Sequence, residues 1–398
     1  MSTKPRAGAV ATKPVPRPWL TPAVRGFSAA SLFSDFGHEL VTALLPGFLT
    51  ALGGPPLAIG LVEGISSLAQ AWAGLAGGRL ADYSPHRRQW VVAGYFATAL
   101  KALIAFVFWW PWVIVLRTAA WVGRGARGPI RNTLIAEEVP VEGRGRAYGF
   151  REAWDSAGAV LGPVAATLLV AHWGARTLMA WSAVPGLLAV AAVLLWVRDR
   201  RPVDAIPVSG RTPLSPPFRR ARAALVQFQV GWVAPALFIL RVERSAPGHL
   251  VELAIGLYVL HNVAYALTAF PAGALADRIG PSILLKITGL LGALTLAGWA
   301  IPGTPVLLWA FLFISAGIVT ALWETVQKPW ILTRLGATLQ GEGFGQLSAS
   351  LGVGQLVGNV LVTALWTLVG PVWAFGIAAA LALQGALQLW RVDRTAAR

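Results

Sequence analysis

The chain has 398 residues, of which 56% are hydrophobic and 13% charged, with 19 tryptophans and no cysteine. A soluble chain of this length carries about a quarter charged residues, and the mean hydropathy of +0.62 points instead to a protein that crosses a membrane many times. The lack of cysteine excludes disulfides, thiol catalysis and Cys-ligated metal, and the net charge of +16 must be located before it is read as a nucleic-acid footprint.

Residues 1–25 are basic and Pro-rich, without the compact apolar core and small-residue cleavage site of a signal peptide. They read as a disordered tail before a retained first helix. A bilayer-spanning helix needs about 20 apolar residues. Twelve runs meet that length, at 27–49, 56–80, 89–109, 112–136, 146–171, 175–197, 223–243, 250–275, 282–301, 305–330, 341–368 and 371–391. The expected fold is therefore all-α and polytopic, with six helices in 26–197, a basic Pro-rich linker at 198–222, six more in 223–391 and a short tail at 392–398.

Twelve spans place both termini on one side. Lys4, Arg6, Lys13, Arg17 and Arg25 precede the first span, Arg87 and Arg88 follow the second, and the linker holds seven arginines. The loops "TALGGPP", "WWPW" and "PGTP" have no basic residue. Basic loops stay in the cytoplasm, so both termini are expected there, in a cytoplasmic (inner) membrane. The charge is thereby explained without nucleic acid. Trp109, Trp110, Trp112 and Trp173 fall near the opposite span ends, where aromatic anchors belong.

Several spans hold ionisable residues, which are costly in lipid and face the protein interior or a cavity. In "SDFGHEL", Asp35, His38 and Glu39 have i, i+3 and i+4 spacing and so share one helix face. At 1.5 Å per residue they sit about 12–18 Å beyond Phe27, near the membrane middle. They are candidates for proton coupling or cation binding; a hydrogen-bonded pair with another helix is the structural alternative. Glu63 and Asp155 join that set. So does Lys101, as a counter-ion of Glu63 or Asp35. Arg124, Arg127 and Arg131 repeat on one face of the fourth span, and Arg151, Glu152 and Asp155 answer from the fifth. Arg127, Arg131 and Glu152 read as a gate or a structural network, and Arg117 and Asp155 as cavity residues. In the second half, Glu324 and Lys328 are spaced for an i, i+4 pair. These two, with His261, Asn262, Gln355 and Asn359, are candidate cavity or substrate residues.

The halves repeat. Asp82 in "GGRLADYSPHRR" and Asp277 in "AGALADRIGPS" lie 195 residues apart, and Gly158 and Gly354 lie 196 apart. Gly158 and Gly162, followed by Pro163, form G-x-x-x-G, repeated as Gly354 and Gly358; such spacing lets helices pack closely. Paired membrane halves indicate a transporter with its site between them. Shifting Asp35, His38 and Glu39 by 196 gives Gly231, Ala234 and Pro235, so this buried charge is not a shared requirement of the fold but was placed in, or kept by, the first half. That half is expected to couple ions and the second to shape the cargo site, with amides at Asp35 or Glu39 abolishing proton-driven transport while folding survives.

These motifs resemble the major facilitator superfamily over nearly the whole chain. Gly78-Arg-Leu-Ala-Asp82 with Arg87 and Arg88 is similar to its signature loop, with Tyr83 and Pro85 in place of the usual basic residue and glycine. Gly273-Ala-Leu-Ala-Asp277-Arg278 is similar to the second copy. The resemblance implies close packing at Gly78 and a cytoplasmic gate in which Asp82 meets basic partners. "GRGARGPIRNTLIAEEVP" and "WETVQKPW" further resemble a bacterial branch of efflux permeases that includes nickel-resistance-type members. No H-E-x-x-H, G-x-S-x-G or P-loop occurs, so neither an enzyme nor an ATP-driven pump is expected, and no cofactor. The sequence reading is a monomeric, proton-coupled exporter of a small toxic or drug-like solute. Divalent-metal efflux, with His38, Asp35 and Glu39 as ligands, and nutrient uptake are the alternatives.

Overall fold

A computed structural model describes residues 19–198, 215–245, 250–332, 334 and 340–396. The start of the expected tail, most of the expected linker and the last two residues lie outside that set. The described residues are almost wholly helical, with no strand among them: α1 (Pro22–Ala51), α2 (Pro56–Tyr83), α3 (Arg87–Ala99), α4 (Pro111–Glu138), α5 (Arg144–Trp181), α6 (Ala183–Trp196), α7 (Pro216–Gly231), α8 (Pro235–Glu243), α9 (Leu250–Ile279), α10 (Pro281–Trp299), α11 (Val306–Leu332), α12 (Gln340–Val369) and α13 (Pro371–Ala396).

Proline punctuates the helix starts. It occupies the first turn of α1, α2, α4, α7, α8, α10 and α13, where its missing N–H is no loss and its φ is already helical. Thr21 and Ser215 cap α1 and α7, each accepting from a backbone N–H at 3.3 Å. These capped starts extend α1 and α7 back into the stretches the apolar pattern assigns to tail and linker. At the other end α13 continues past residue 391 because no Pro or Gly stops it.

Among the described residues, eight helical stretches are long and apolar enough to cross a membrane, and one of them, the 56-residue Val141–Trp196, holds two spans. α1, α2 and α4 complete the twelve; they are the helices whose charged and small polar residues dilute their hydropathy. Two spans depart from a continuous helix. The third is α3 followed by a 3-10 segment, Leu100–Phe106. The seventh is broken: α7 ends at Gly231, and Trp232–Ala234 run extended before α8. Gly174, at φ 73°, turns the chain between the fifth span and the sixth. Large apolar side chains, including Trp109, Trp112, Trp173, Leu195, Leu294 and Leu307, are exposed. On a membrane protein that is the lipid face.

Small residues set the packing. A methyl group on Gly158 or Gly162 would collide with the carbonyls of Leu32 or Phe36, so α5 lies directly on α1. Gly358 meets Val230, and Gly354 lies by Val226, in the matching contact of α12 with α7. The Gly78 expectation is corrected: a Cβ there would meet nothing, and the close approach falls one residue earlier, where Gly77 packs on the Ala126 carbonyl. The helix turns Gly78 and Gly273 to open space. The halves meet where α2 packs on α12, α5 on α9, and α1 and α2 on α8. Away from the linker this contact is tight: Gly60 abuts Thr363 and the Asn359 carbonyl, and Gly64 abuts Leu356.

A candidate transport cavity between the halves

Between the halves lies a cavity of about 700 Å³. Its walls run from the membrane middle toward the linker side, from Glu63 to Gly74 on α2 and from Arg117 to Arg131 on α4. α1, α5, α7, α8, α9, α11 and α12 complete them. α4 and α11 flank it.

The acidic face of α1 turns into this cavity, and each of its groups has its own partner. Asp35 is buried and takes a two-pronged bond from Arg124, at 2.5 and 3.0 Å. Planar guanidinium and carboxylate match in this geometry, so the pair is strong and specific. His38 packs edge-on against Trp121, ring centroids 5.2 Å apart, with Nε2 4.0 Å from Glu39. Glu39 alone reaches the other half: Tyr258 on α9 donates its hydroxyl to Glu39 Oε2 at 2.6 Å. Glu63 is buried and accepts from Arg117 at 3.0 Å; Arg117 also donates to Thr42 Oγ1 at 3.0 Å. Asp155 accepts from Arg151 at 3.2 Å, and Arg151 also holds Glu152 and Ser31.

Several expectations are corrected. Lys101 makes no direct ion pair among the described residues: it is fully buried in the 3-10 segment behind Gly37, outside the cavity wall, and its Nζ has no hydrogen-bond partner, so it acts on Asp35 only through space. Asp35 and Glu63 already have arginines. Arg127 and Arg131 do not bridge the halves. Arg127 donates to Ser34 Oγ at 2.9 Å and to Thr98, and lies over the Tyr95 ring; Arg131 reaches Ser31 and Tyr95. Both knit the first half together. Asp82, Asp277 and Arg278 are exposed, without a hydrogen bond or ion pair to a described residue. Arg87 instead holds Glu137 on α4 at 2.5 Å, and Arg88 the Leu194 carbonyl at 2.6 Å. The resemblance assigns the latch to the outward-facing state, and it is not formed in this conformation. Glu324 does not pair with Lys328 but accepts from Tyr265 at 2.8 Å, and Lys328 is off the cavity wall. Asn359 is off it too: fully buried, it accepts the Ala234 N–H at 2.9 Å and so satisfies the backbone exposed by the helix break.

His261, Asn262, Glu324 and Gln355 do line the second half, beside residues that the sequence reading did not single out: Gln229, Trp232, Tyr258, Tyr265, Trp323 and Gln327. Trp323 donates to Gln229 at 3.1 Å. Tyr258 and Tyr265 are seven apart on α9, a spacing that keeps one face and was available as a signal. The break at Trp232–Ala234 was signalled by Pro235. It falls between Gly231 and Pro235, the positions that mirror Asp35 and Glu39, so unwound backbone stands in the second half beside where charge stands in the first. No three His, Cys, Asp or Glu side chains among the described residues converge as metal ligands. Asp35, His38 and Glu39 point to three different partners.

The family model described as Major Facilitator Superfamily matches residues 27–241 and 222–398. The chain belongs to the major facilitator superfamily. Among curated proteins it is 24% identical to an uncharacterised MFS-type transporter of Methanocaldococcus jannaschii, over 90% of this chain and 92% of that one. It is 26% identical to the multidrug resistance protein MdtG of Salmonella paratyphi C, over 83% and 84%. Among solved structures it superposes with TM-score 0.77 and 13% identity on a bacterial homologue of the human lysosomal transporter Spinster, described as inward-facing and occupied. That match covers 95% of this chain and 98% of the other. The twelve-helix fold in two six-helix bundles is that of this superfamily. The chain is a membrane-embedded transporter of small molecules, not an enzyme.

Proposed function

We propose that this transporter exports a small organic solute in exchange for protons, and that Glu39 is the group that couples the two. The observation that carries the reading is the Tyr258–Glu39 hydrogen bond. It joins the halves inside a cavity built by both, and Glu39 is the one α1 carboxylate not committed to an arginine. A carboxylate accepts this bond strongly; protonation weakens it. A proton on Glu39 therefore loosens the tie between halves, and its loss restores the tie. Movement of one half against the other then follows the proton, as alternating access requires.

The basic loops put the linker side in the cytoplasm. The cavity extends to that side while the far side is packed shut, which supports reading this conformation as open to the cytoplasm, with Glu39 ionised after giving up its proton. Aromatic and amide groups from Trp232, Trp323, Gln229, Asn262 and Gln355 suit a solute with flat apolar surface and a few polar groups. The name of the MdtG relative agrees with efflux of such compounds. The commitment of Asp35 to Arg124 speaks against a nickel-type cargo held by Asp35, His38 and Glu39 together.

The test is a cargo panel in inverted vesicles carrying a pH gradient: lipophilic cations and antibiotics beside nickel and cobalt salts. Discharge of the gradient by organic compounds is expected. A response to the metals alone overturns the reading.

A further inference from the structure

A second carboxylate lies in the interface between the halves, far from the cavity. Glu243 ends α8 on the side away from the linker and faces α1 at Gly47: a Cβ built on Gly47 would lie 3.1 Å from Glu243 Oε1. A side chain at Gly47 would crowd the carboxyl group. Both of its oxygens are buried, and neither has a well-formed hydrogen bond. Native proteins rarely leave such a group unpaired, and each exception calls for an explanation.

The surroundings offer no compensating charge from across the interface. The facing stretches, Leu40–Ala51 of α1 and Pro56–Val62 of α2, contain no titratable residue, and α9 brings Glu252, Tyr258 and His261. Tyr258 is engaged by Glu39. On its own helix end, Arg241 is turned to Ser245 and the Ile301 carbonyl; Arg244 donates to the Gly54 carbonyl and, among the described residues, is the one nearby cation that acts on Glu243, without forming an ion pair with it. The α1 wall opposite is itself a weak point, because Pro46 removes one helical hydrogen bond from the turn that contains Gly47.

We propose that Glu243 is a proton-binding site built into the gate on the side away from the linker, loaded when α8 closes on α1 and emptied when they part. An unpaired charge in a dry interface is costly, whereas the neutral acid is not. Parting the halves admits water and favours the charged form. Closure therefore takes up a proton, and by linkage acid favours the closed gate and alkali the open one. This proton comes from and returns to the same side. It sets the pH range over which the gate opens and is separate from the exchanged proton at Glu39. The proposal deepens the alternating-access reading and rests on it.

Because the chain has no cysteine, spin labels at Ala51→Cys and Ile301→Cys in the full-length protein report the distance across this gate without background. Between pH 5 and 9 the closed-to-open ratio should fall with rising pH, by up to about tenfold per unit for one proton. Glu243→Gln should hold the gate closed at every pH, and Glu243→Leu, which fills the same space without a carboxyl group, should do the same. Glu39→Gln should shift the closed-to-open ratio but keep the part of the fall with pH that Glu243 carries. A pH response in both Glu243 variants as steep as the wild type's, or none in the wild type, overturns the proposal. If the response is lost in Glu39→Gln instead, the site is Glu39 and the proposal also falls. Failure of proton-driven transport with the Glu243 response standing counts against the coupling reading alone.

Discussion

Charged groups that the sequence places together on one face of α1 have separate tasks. Asp35 is locked to Arg124, whereas Glu39 is held by a single neutral donor from the other half. Their amide variants should therefore differ, against the expectation that both would abolish coupling and spare the fold. Asp35→Asn strands a guanidinium that keeps 24% of its side chain exposed. The expected cost is about 3 kcal/mol, the lower end for breaking a buried pair, read as a lowered melting temperature in detergent. Restoring neutrality with Asp35→Asn and Arg124→Gln together should recover much of it. Glu39→Gln should melt as the wild type does and fail in coupling. Tyr258→Phe removes one hydrogen bond to a charged group, about 1.5–3 kcal/mol, and should slow proton-coupled transport about tenfold or more; an unchanged rate would sink the link between halves. The face that carries these residues was legible from i, i+3, i+4 spacing. Their partners were not, because spacing within one helix says nothing about which of four arginines on another helix will meet it.

At the scale of helices, glycine positions decide the approach of neighbours. Gly162→Val would drive its side chain into the Phe36 carbonyl and part α5 from α1, so folded yield should collapse. Gly77→Val should do the same to α2 and α4. Gly78→Ala, facing open space, should stay within about 0.5 kcal/mol of the wild type, measured by thermal unfolding in detergent; marked destabilisation there would contradict the packing described. The G-x-x-x-G pairs were readable because the motif itself states the spacing of a close contact. The choice between Gly77 and Gly78 was not, since adjacent residues differ by about 100° around a helix and only the neighbour's position selects one. The broken seventh span shows the same limit. Hydropathy sums side chains and passed over Trp232–Ala234, although Pro235 marked a start. What stabilises the break is Asn359, 125 residues away.

Across the whole molecule, the twelve spans and the two halves followed from composition, charge asymmetry and a register of 195–196 residues, all of which survive without any contact information. The conformation did not follow, because the contacts that shut one side, such as Gly60 with Thr363, join residues with no sequence relation. With the far side sealed, a cysteine placed at Ala159 on the cavity wall should react with an impermeant thiol reagent applied from the linker side, and slowly from the other. Equal reactivity from both sides would refute the closed gate. The most direct test of the central claim is proton exchange in liposomes containing the purified protein and an organic cargo that discharges a pH gradient. The wild type should discharge it and Glu39→Gln, equally folded and still binding the cargo, should not. A Glu39→Gln protein that exchanges protons for cargo at the wild-type rate would contradict the account.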